Sequence, residues 1–436
     1  MQSFAKLLLL LGLLALTSAS PARIQKRGVY KVERVANPNY TGRHGARALL
    51  KTLRKYRMPI PAHVVEAAQE ANPLISKRDP RKKKGKGTKG TAGGATNAAN
   101  GTASAAAAGN QTGTVANNPE ANDVEYLSPV KIGGQTLNLD FDSGSSDLWV
   151  FNSQLSNAAS SGHQIYDPTK SNTFALMQGA SFQISYGDGS GAAGNVGTDT
   201  VDIGGATATN QAIEMATAVS QSFVQDTANN GLVGLAFSQI NTVQPQQQKT
   251  FFDNVMSSLA EPVFTADLRP QAAGAYEFGA VDTSKFTGAM TWVPVNTTSG
   301  FWQFTSESFA VNGGQAQTST AGAQAIADTG TTLLMADPAV TQAYYSQVQG
   351  ATNNQQAGGI TFPCSATLPD LQLDVGGTMA TVKGTDIKFA QVDDQTCFGG
   401  LQASSSGLQI YGDIFFKSNF VAFNGGNNSL GFAQHV

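Results

Sequence analysis

The feature that most constrains this chain is a short triplet that occurs twice. Residues 142–144 read Asp-Ser-Gly and residues 328–330 read Asp-Thr-Gly, each after apolar residues and before further hydroxyl residues. An aspartate at the end of a buried strand is costly unless its charge is hydrogen-bonded or used. Asp142 and Asp328 therefore suggest a duplicated half-site, with one carboxylate from each half of the protein. Two facing carboxylates can hold and activate a water, which predicts acid–base hydrolysis.

A second repeated element follows each triplet at a similar distance. Residues 232–237 read Leu-Val-Gly-Leu-Ala-Phe, and residues 410–415 read Ile-Tyr-Gly-Asp-Ile-Phe. Two apolar residues and a glycine predict a strand that crosses beside each triplet, because glycine permits close approach of the backbone. One triplet alone would mean little, whereas two triplets with matched downstream partners are a specific signal.

From about residue 123 the sequence has the pattern of an all-β protein. Short runs rich in Val, Ile, Phe and Thr alternate with Gly, Asn and Asp turns, which is typical of strands and hairpins. The predicted strands include 130–132, 135–142, 182–186, 198–203 and 290–295. Helical patterns are scarce in this part, and 251–259 and 337–348 are the better candidates.

The first 20 residues are predicted to be a cleaved secretory signal peptide. Lys6 precedes an apolar run over residues 7–16, and small residues follow it. The run is too short to span a bilayer, and a buried core helix is the weaker alternative. No later stretch has the length and hydropathy of a membrane helix, and the end of the chain carries no anchor signal. We therefore expect a secreted protein, with a vacuolar destination as the alternative.

The two cysteines fit an oxidising compartment. Cys364 and Cys397 lie 33 positions apart, and in a secreted protein they most simply form one disulfide bond. Catalytic or metal-binding cysteines are the alternative. After residue 120 only His163 and His435 remain and no His-Glu-x-x-His motif occurs, so neither a metal nor another cofactor is expected. Among the N-glycosylation sequons are those that begin at Asn100, Asn110, Asn296 and Asn427.

The charge is distributed very unevenly along the chain. Residues 21–120 contain 19 Lys and Arg against 5 Asp and Glu, whereas residues 121–436 contain 8 against 25. A basic segment beside an acidic body can bind nucleic acid or the body itself. Behind a signal peptide the second is favoured, so neither nucleic acid nor a membrane is an expected partner.

The basic segment, which we call the leader, has two parts. Leu and Ala recur at helical spacing over residues 45–56, which predicts a helix. Residues 81–115 are of low complexity and cannot bury a core, so they are predicted to be a mobile linker. The dibasic pairs at 26–27 and 77–78 are weak candidates for processing sites.

The body resembles the pepsin family of aspartic endopeptidases, and closely the fungal penicillopepsin and aspergillopepsin group. The resemblance covers roughly residues 120–436 and rests on 141–151, 185–190, 231–237, 326–332 and 411–415. It implies an all-β, bilobal fold of two pseudo-symmetric lobes with a central cleft, across which an extended polypeptide substrate lies. The implied order is a signal peptide (1–20), a basic propeptide (21–110), an N-terminal lobe (111–300) and a C-terminal lobe (301–436).

The implied chemistry uses Asp142 and Asp328 on the floor of the cleft. Two carboxylates about 3 Å apart cannot easily both ionise, so the pair shares one proton. The ionised member takes a proton from a water as it attacks the peptide carbonyl, and the protonated member donates to the carbonyl oxygen. We therefore expect a monomeric endopeptidase that is active in acid and is inhibited by pepstatin-type compounds.

The resemblance also assigns supporting residues. Ser145 and Thr331 would hydrogen-bond the outer oxygens of the aspartates, and Ser143 and Thr329 would bind the backbone of the opposite loop. Ser143 replaces the usual threonine but keeps the hydroxyl. The residues expected in the flap and in substrate binding are Trp149, Tyr186, Gly187, Asp188, Ser190, Phe223, Leu232, Gly144 and Gly330.

The flap is expected over residues 186–190, where Asp-Gly is a strong turn signal. By resemblance, Tyr186 lies near Trp149, and Phe223 and Leu232 form apolar walls of the pocket for the residue before the cut. A plain core position for Phe223 is an equally open alternative. Asp188 would add negative charge near that pocket, which predicts tolerance of Lys beside bulky apolar residues.

Lys55 and Tyr56 resemble the Lys–aromatic pair that plugs the carboxylates in pepsin-like zymogens, so the propeptide is an expected intramolecular inhibitor. One solvated lysine among many is the alternative for Lys55.

Two other functions are alternatives: a non-catalytic relative of the same fold, and a serine hydrolase built on Ser143. The first usually loses a site residue that is present here, and the second lacks the sequence context of a nucleophile.

Overall fold

A computed structural model of the protein describes residues 29–33, 35–36, 44–70, 126–186, 190–270 and 274–436. The predicted signal peptide, the 81–115 linker and both dibasic pairs lie outside the described residues. So do Asn100, Asn110, Gly187 and Asp188.

The described α-helices are short apart from the first. Their bounds are α1 (Gly45–Lys55), α2 (Ala62–Glu70), α3 (Asn157–Ser160), α4 (Gln221–Gln225), α5 (Phe251–Val255), α6 (Pro338–Tyr345), α7 (Gly384–Ile387) and α8 (Asp413–Ser418).

The strands are numerous and mostly short. From the leader to residue 294 they are β1 (Tyr30–Glu33), β2 (Val35–Ala36), β3 (Tyr126–Ile132), β4 (Gln135–Asp142), β5 (Leu148–Phe151), β6 (Ala175–Ser185), β7 (Gly191–Ile203), β8 (Ala206–Val219), β9 (Gly231–Gly234), β10 (Val263–Asp267), β11 (Ala275–Phe278) and β12 (Thr291–Pro294). After that they are β13 (Gln303–Thr305), β14 (Ser308–Val311), β15 (Gln317–Thr318), β16 (Gln324–Ala327), β17 (Leu334–Ala336), β18 (Thr352–Asn354), β19 (Gly359–Pro363), β20 (Leu371–Val375), β21 (Thr378–Val382), β22 (Lys388–Gln391), β23 (Thr396–Gly399), β24 (Leu401–Ala403), β25 (Leu408–Tyr411), β26 (Asn419–Asn424) and β27 (Ser429–Gln434).

The first half-site is built on an eight-stranded sheet of order β2-β3-β4-β9-β5-β8-β7-β6. Strand β9 lies between β4 and β5, parallel to the first and antiparallel to the second, and places Gly234 opposite Asp142. A Cβ on Gly234 would lie 2.6 Å from the backbone nitrogen of Asp147. The predicted crossing strand and the reason for its glycine are therefore confirmed.

The second half-site repeats this arrangement in a five-stranded sheet of order β13-β16-β25-β17-β24. Strand β25 is parallel to β16 and antiparallel to β17, and it places Tyr411 opposite Ala327. A Cβ on the following Gly412 would overlap the carbonyl oxygens of Thr331 and Leu333. The same arrangement of three strands is therefore found at both aspartates. The predicted all-β body with two related halves is confirmed.

A six-stranded sheet of order β1-β11-β10-β26-β27-β12 links the leader to strands from both parts of the body. Its edge strand β1 pairs antiparallel with β11, and β2 of the leader pairs with β3. Two four-stranded sheets, β15-β14-β20-β21 and β18-β19-β23-β22, complete the C-terminal part. Cys364 and Cys397 form a disulfide bond there, at the end of β19 and on β23.

Helix α1 confirms the helical pattern of the leader. The side chain of His44 accepts a hydrogen bond from the backbone N–H of Arg47 at its start, and Arg54 and Lys55 lie at its end, where positive charge is favourable. Its apolar side chains are buried, and Gly45 touches the ring of Phe398 so closely that a Cβ would overlap it. The helix is therefore packed onto the body by its buried face.

Strand β7 differs from the predicted strands, because it begins at Gly191 and not near residue 198. Glycine weakens a strand, so residues 191–197 gave little strand signal. The glycines are required by packing: a Cβ on Gly194 would overlap the carbonyl oxygen of Met215, and one on Gly197 would overlap the ring of Phe174. No helix among the described residues has the length and hydropathy to cross a membrane.

Candidate active site

Asp142 and Asp328 lie at equivalent positions of the two half-sites. Asp142 is the last residue of β4, and Asp328 directly follows β16. Their exposed fractions are only 1% and 0%. The sequence therefore brings two buried carboxyl groups from residues far apart in the chain to the facing ends of two strands.

Each aspartate has the same hydrogen-bond donors. Ser145 donates through its hydroxyl to Asp142 Oδ2 over 2.7 Å, and the hydroxyl of Thr331 donates to Asp328 Oδ2. The backbone N–H of Gly144 donates to Asp142 Oδ1 over 2.8 Å, and that of Gly330 donates to Asp328 Oδ1 over 3.0 Å. These are the contacts expected for Ser145 and Thr331, with the glycine amides in addition.

The glycine of each triplet faces the aspartate of the other. A Cβ on Gly144 would lie 2.5 Å from Asp328 Oδ1, and a Cβ on Gly330 would overlap Asp142 Oδ1. Any side chain at either position would therefore separate the two carboxyl groups.

Ser143 and Thr329 connect the two loops. The backbone N–H of each residue donates to the hydroxyl of the other. The hydroxyl of Ser143 also donates to the carbonyl oxygen of Ala327 over 3.0 Å, and the hydroxyl of Thr329 donates to the carbonyl oxygen of Phe141 over 2.8 Å. Each hydroxyl thus binds the backbone of the opposite strand, at the contact predicted for it.

Lys55 of the leader lies between the two aspartates. Its ammonium group is 2.8 Å from Asp142 Oδ1 and 3.0 and 2.9 Å from the two carboxylate oxygens of Asp328. Tyr56 donates its hydroxyl to Asp328 Oδ2 over 2.5 Å, and its ring packs edge-on against Phe301. The end of α1 therefore occupies the space between the two carboxyl groups.

The protonation of the pair is uneven in this state. Burial raises the pKa of Asp142 and outweighs the opposite effect of the Lys55 ammonium. Burial also acts to raise the pKa of Asp328, but the charge of Lys55 and the hydrogen bonds to that carboxylate bring its pKa down to about 2. The pKa of Lys55 is raised, because the two carboxylates together outweigh its burial. Asp328 is therefore the more acidic member of the pair while Lys55 lies between the two carboxyl groups.

Tyr186 and Trp149 meet beside this site. Trp149 Nε1 donates to the hydroxyl of Tyr186 over 2.8 Å, and the backbone N–H of Tyr186 donates to the carbonyl oxygen of Ser190 over 2.9 Å. The ring of Phe223 packs edge-on against both, with centroid distances of 4.9 Å to Trp149 and 5.8 Å to Tyr186. Buried Leu232 belongs to the same apolar cluster.

A small cavity of about 30 Å³ lies between these residues and the aspartates. Its lining combines the predicted Asp142, Tyr186, Ser190, Phe223, Leu232 and Gly330 with Lys51, Lys55, Asp140 and Asn229. Phe223 is thus both packed on the apolar cluster and exposed to the cavity.

Asp140, Lys51 and Asn229 were missed by the sequence analysis. A signal for Asp140 existed, because residues two apart on a strand point to the same face and Asp140 precedes Asp142 by two. Lys51 likewise precedes Lys55 by four, so both lie on one face of α1. Among the described residues, no group of three or more His, Cys, Asp or Glu side chains could hold a metal ion.

Comparisons with known proteins agree with this geometry. The model of the eukaryotic aspartyl protease family matches residues 125–435. Penicillopepsin-1 of Penicillium rubens is 52% identical over 328 residues, which cover 74% of this chain and 82% of the relative. Aspergillopepsin-1 of Aspergillus oryzae is 44% identical over 420 residues, 96% of each chain, and endothiapepsin of Cryphonectria parasitica is 44% identical over 414 residues, 93% of this chain and 90% of the relative. This chain therefore belongs to the eukaryotic aspartyl protease family.

Proposed function

We propose that Asp142 and Asp328 are the catalytic pair of this aspartic endopeptidase, which hydrolyses internal peptide bonds of proteins in acid. The observation that carries the proposal is the approach of two buried carboxyl groups with matched donors, each glycine facing the other aspartate. Such a pair shares one proton, so acid and base are both present at one site.

In the proposed reaction the ionised member of the pair takes a proton from a water, whose oxygen attacks the carbonyl carbon of the peptide. The protonated member donates to the carbonyl oxygen, and a tetrahedral diol forms. The proton taken from the water is then passed to the amide nitrogen as the C–N bond breaks, and a diol hydroxyl returns its proton to the other carboxylate, which restores the starting state of the pair. Ser145 and Thr331 orient the carboxyl groups, and Ser143 and Thr329 keep the loops in register.

The substrate side chain before the cut is proposed to enter the cavity beside Asp142. Phe223, Leu232 and the ring of Tyr186 favour a bulky apolar residue there. Asp140 adds a carboxyl group to the same lining, and Lys51 of the leader already reaches into it. These contacts support cleavage after Lys as a second preference, with Asp188 of the flap as a further contributor.

We also propose that the protein is a monomer made as an inactive precursor and secreted. The leader inhibits the body through Lys55 and Tyr56, supported by their direct contacts with both aspartates. Acid protonates the carboxyl groups, the attraction falls, and self-cleavage within 81–115 releases the enzyme with its lobes over 111–300 and 301–436. Asn296 and Asn427 are exposed, as N-glycosylation requires.

The test is proteolysis by the full-length chain after incubation in acid. We expect digestion of casein or haemoglobin at acidic pH and complete inhibition by pepstatin. Asp142→Asn and Asp328→Asn should each lower kcat at least 1000-fold, within the range that acid–base groups contribute. Asp393→Asn, at an exposed turn, is the matched control and should keep full activity. Pepstatin-resistant activity, or activity in either catalytic variant, would contradict the proposal.

A further inference from the structure

A second pair of buried carboxyl groups lies behind the loop that carries the proposed catalytic residues. Asp147 directly precedes β5, and Glu214 lies on the neighbouring strand β8, opposite Trp149 in parallel register. Both side chains belong to residues that are only 1% exposed. Neither takes part in the proposed reaction, and burying two carboxyl groups without such a role is costly unless their charge is reduced.

The amide of Asn241 bridges the two carboxyl groups. Its Nδ2 donates to Glu214 Oε1 over 3.0 Å and lies 3.4 Å from Asp147 Oδ1. The orientation of this amide is fixed, because its Oδ1 accepts hydrogen bonds from the backbone N–H groups of Val243 and Gln248. One nitrogen therefore holds both carboxyl groups close together.

The two carboxyl groups have very different partners. Asp147 Oδ1 also accepts from the backbone N–H of Thr242 over 3.0 Å and from its hydroxyl over 2.6 Å. These bonds favour negative charge on Asp147 and oppose the burial that raises its pKa. Glu214 Oε2 is buried and has no hydrogen-bond partner in the described part of the chain. A charged oxygen would need a donor there, whereas a protonated oxygen is itself a donor. The carboxylate beside it, on Asp147, is the available acceptor.

We propose that Glu214 is a positioning residue that retains its proton in the folded enzyme and shares it with Asp147, which fixes the loop over residues 143–147. The proposal rests on the catalytic roles given above for the residues that this loop carries. It assigns to the enzyme a second proton-sharing pair, which holds the catalytic loop instead of acting on the substrate.

Several bonds connect the pair to the catalytic residues. Asn241 Nδ2 also donates to the carbonyl oxygen of Ser146 over 3.1 Å, and the carbonyl oxygen of Asp147 accepts from the N–H of Gly234 over 2.8 Å. The same loop carries Ser145, which donates to Asp142, and leads into Trp149, which donates to Tyr186. A charge on Glu214 would therefore disturb a loop that orients both the catalytic carboxyl group and the flap tyrosine.

The electrostatic surroundings agree with a retained proton. Burial raises the pKa of Glu214 well above its ordinary value, and the charge of Asp147 raises it further. The other titratable groups near the pair are Tyr186 and Asp142, neither of which carries positive charge. Burial raises the pKa of Tyr186, and the charges of Asp142, Asp147 and Glu214 all raise it further. The facing strand β7 places Val196 opposite Glu214 and Asn195 opposite Met215, both uncharged. Among the described residues, no Lys, Arg or His forms an ion pair with either carboxyl group.

The raised pKa of Glu214 determines how its contribution to stability changes with pH. A carboxyl group whose pKa is higher in the folded than in the unfolded state binds its proton more tightly when folded. Its contribution to stability is complete below the ordinary pKa of 4.5 and declines as the pH rises above that value. Glutamine has the shape of a protonated glutamate, donates from its nitrogen and does not ionise, so Glu214→Gln should remove this decline.

The experiment compares the thermal midpoint Tm of the full-length chain with and without Glu214→Gln from pH 4.5 to 8, both with Asp328→Asn to prevent self-cleavage. We expect the Tm of the glutamine variant to gain on the parent by about 2 °C per pH unit above 4.5, until Glu214 itself ionises. Glu261→Gln, at an exposed glutamate, is the control and should show a constant difference. A difference for Glu214→Gln that is also constant with pH would overturn the proposal.

Two further measurements keep the test decisive. If Glu214→Gln does not fold, the infrared band of a protonated carboxylic acid in the parent chain takes its place. It should persist at pH 6 and change frequency in Asp147→Asn, which removes the acceptor carboxylate, and its absence at pH 6 would refute the shared proton. With an active chain, the peptidase activity recovered in acid after incubation at pH 7 should be higher for Glu214→Gln than for the parent. Because Tm and the infrared band need no catalysis, they test the shared proton separately: an inactive parent would refute the proposed function but not the proton shared by Glu214 and Asp147.

Discussion

Ser143 and Thr329 hydrogen-bond each other in both directions across the candidate site. The backbone N–H of Ser143 donates to the hydroxyl of Thr329 over 3.1 Å, and the backbone N–H of Thr329 donates to the hydroxyl of Ser143 over 2.9 Å. Both hydroxyls donate in turn to the opposite strand, so four buried bonds join the two loops. The separation of Asp142 and Asp328 therefore depends on these two small side chains.

Replacing Ser143 by alanine should lower kcat about 10–100-fold and change KM little. The variant leaves the N–H of Thr329 and the carbonyl oxygen of Ala327 buried without partners, at a cost of about 1–3 kcal/mol, and lets the loops shift. Steady-state kinetics on one peptide measure the effect. Ser143→Thr keeps the hydroxyl and should keep most of the activity, whereas equal kcat in Ser143→Ala and the parent would show that the bonds are not needed.

Removing the ammonium of Lys55 should allow activation of the precursor at higher pH. The depressed pKa of Asp328 means that its ion pair stabilises the closed state above about pH 3.8 and is lost only as the pH falls toward about 2. Breaking one partner of such a buried pair costs about 3–5 kcal/mol. In Lys55→Met the pH midpoint of leader cleavage, followed on gels, should rise by about one unit or more. Arg57→Met, at an exposed residue, should not move it.

Trp149→Phe and Tyr186→Phe should lower kcat/KM by similar amounts, and the double variant should be no worse than either single one. Both single changes remove the same buried hydrogen bond, which is worth about 1 kcal/mol or about fivefold, and both keep the aromatic packing against Phe223. A double-mutant cycle on the acid-activated enzyme measures this coupling. Effects that simply add would mean that the two residues act independently.

Asp140→Asn should reduce cleavage after Lys relative to cleavage after Phe. A hydrogen bond to a charged group is worth about 1.5–3 kcal/mol, so the ratio of kcat/KM for matched Lys and Phe peptides should fall about tenfold or more. Asp188→Ala, measured in parallel, separates the contribution of the flap to the Lys preference from the contribution of Asp140 in the cavity wall. An unchanged ratio in Asp140→Asn would remove Asp140 from the specificity of the enzyme.

Replacing both Cys364 and Cys397 by serine should lower the free energy of unfolding by about 3–4 kcal/mol, because the bond closes a loop with a separation of 33 residues. Urea unfolding of the full-length chain should show a lower midpoint with little change in slope. Reduction of the parent by a thiol should reproduce the shift. If the midpoint stayed the same, the loop would already be restricted in the unfolded chain.

The candidate catalytic pair was predictable because each half of the site has its own local sequence motif. Asp142 and Asp328 lie in the same short motif, and Gly234 and Gly412 follow them at similar distances along the chain. The repeat in the sequence therefore indicates two structurally related halves. Helix α1 was predictable for a similar reason, since its apolar face depends on spacing within one segment.

The remaining features depend on contacts between distant segments. Glu214 lies in none of the motifs that carried the resemblance, and only the parallel register of β5 with β8 brings it to Asp147. The early part of β7 was hidden because Gly194 and Gly197 have low strand propensity, although the packing of Met215 and Phe174 requires them. No local pattern reports a requirement that comes from a neighbouring strand.

The spacing of the lysines on the leader helix and that of the aspartates on β4 are set by different rises per residue. Lys51 and Lys55 are four residues apart on a helix, an advance of about 6 Å, and Asp140 and Asp142 are two apart on a strand, an advance of about 6.6 Å. The near match lets two lysines reach one cavity that two aspartates line. One residue inserted between the lysines would turn one of them away by about 100°. The spacing of the two lysines is therefore constrained as strictly as their charge.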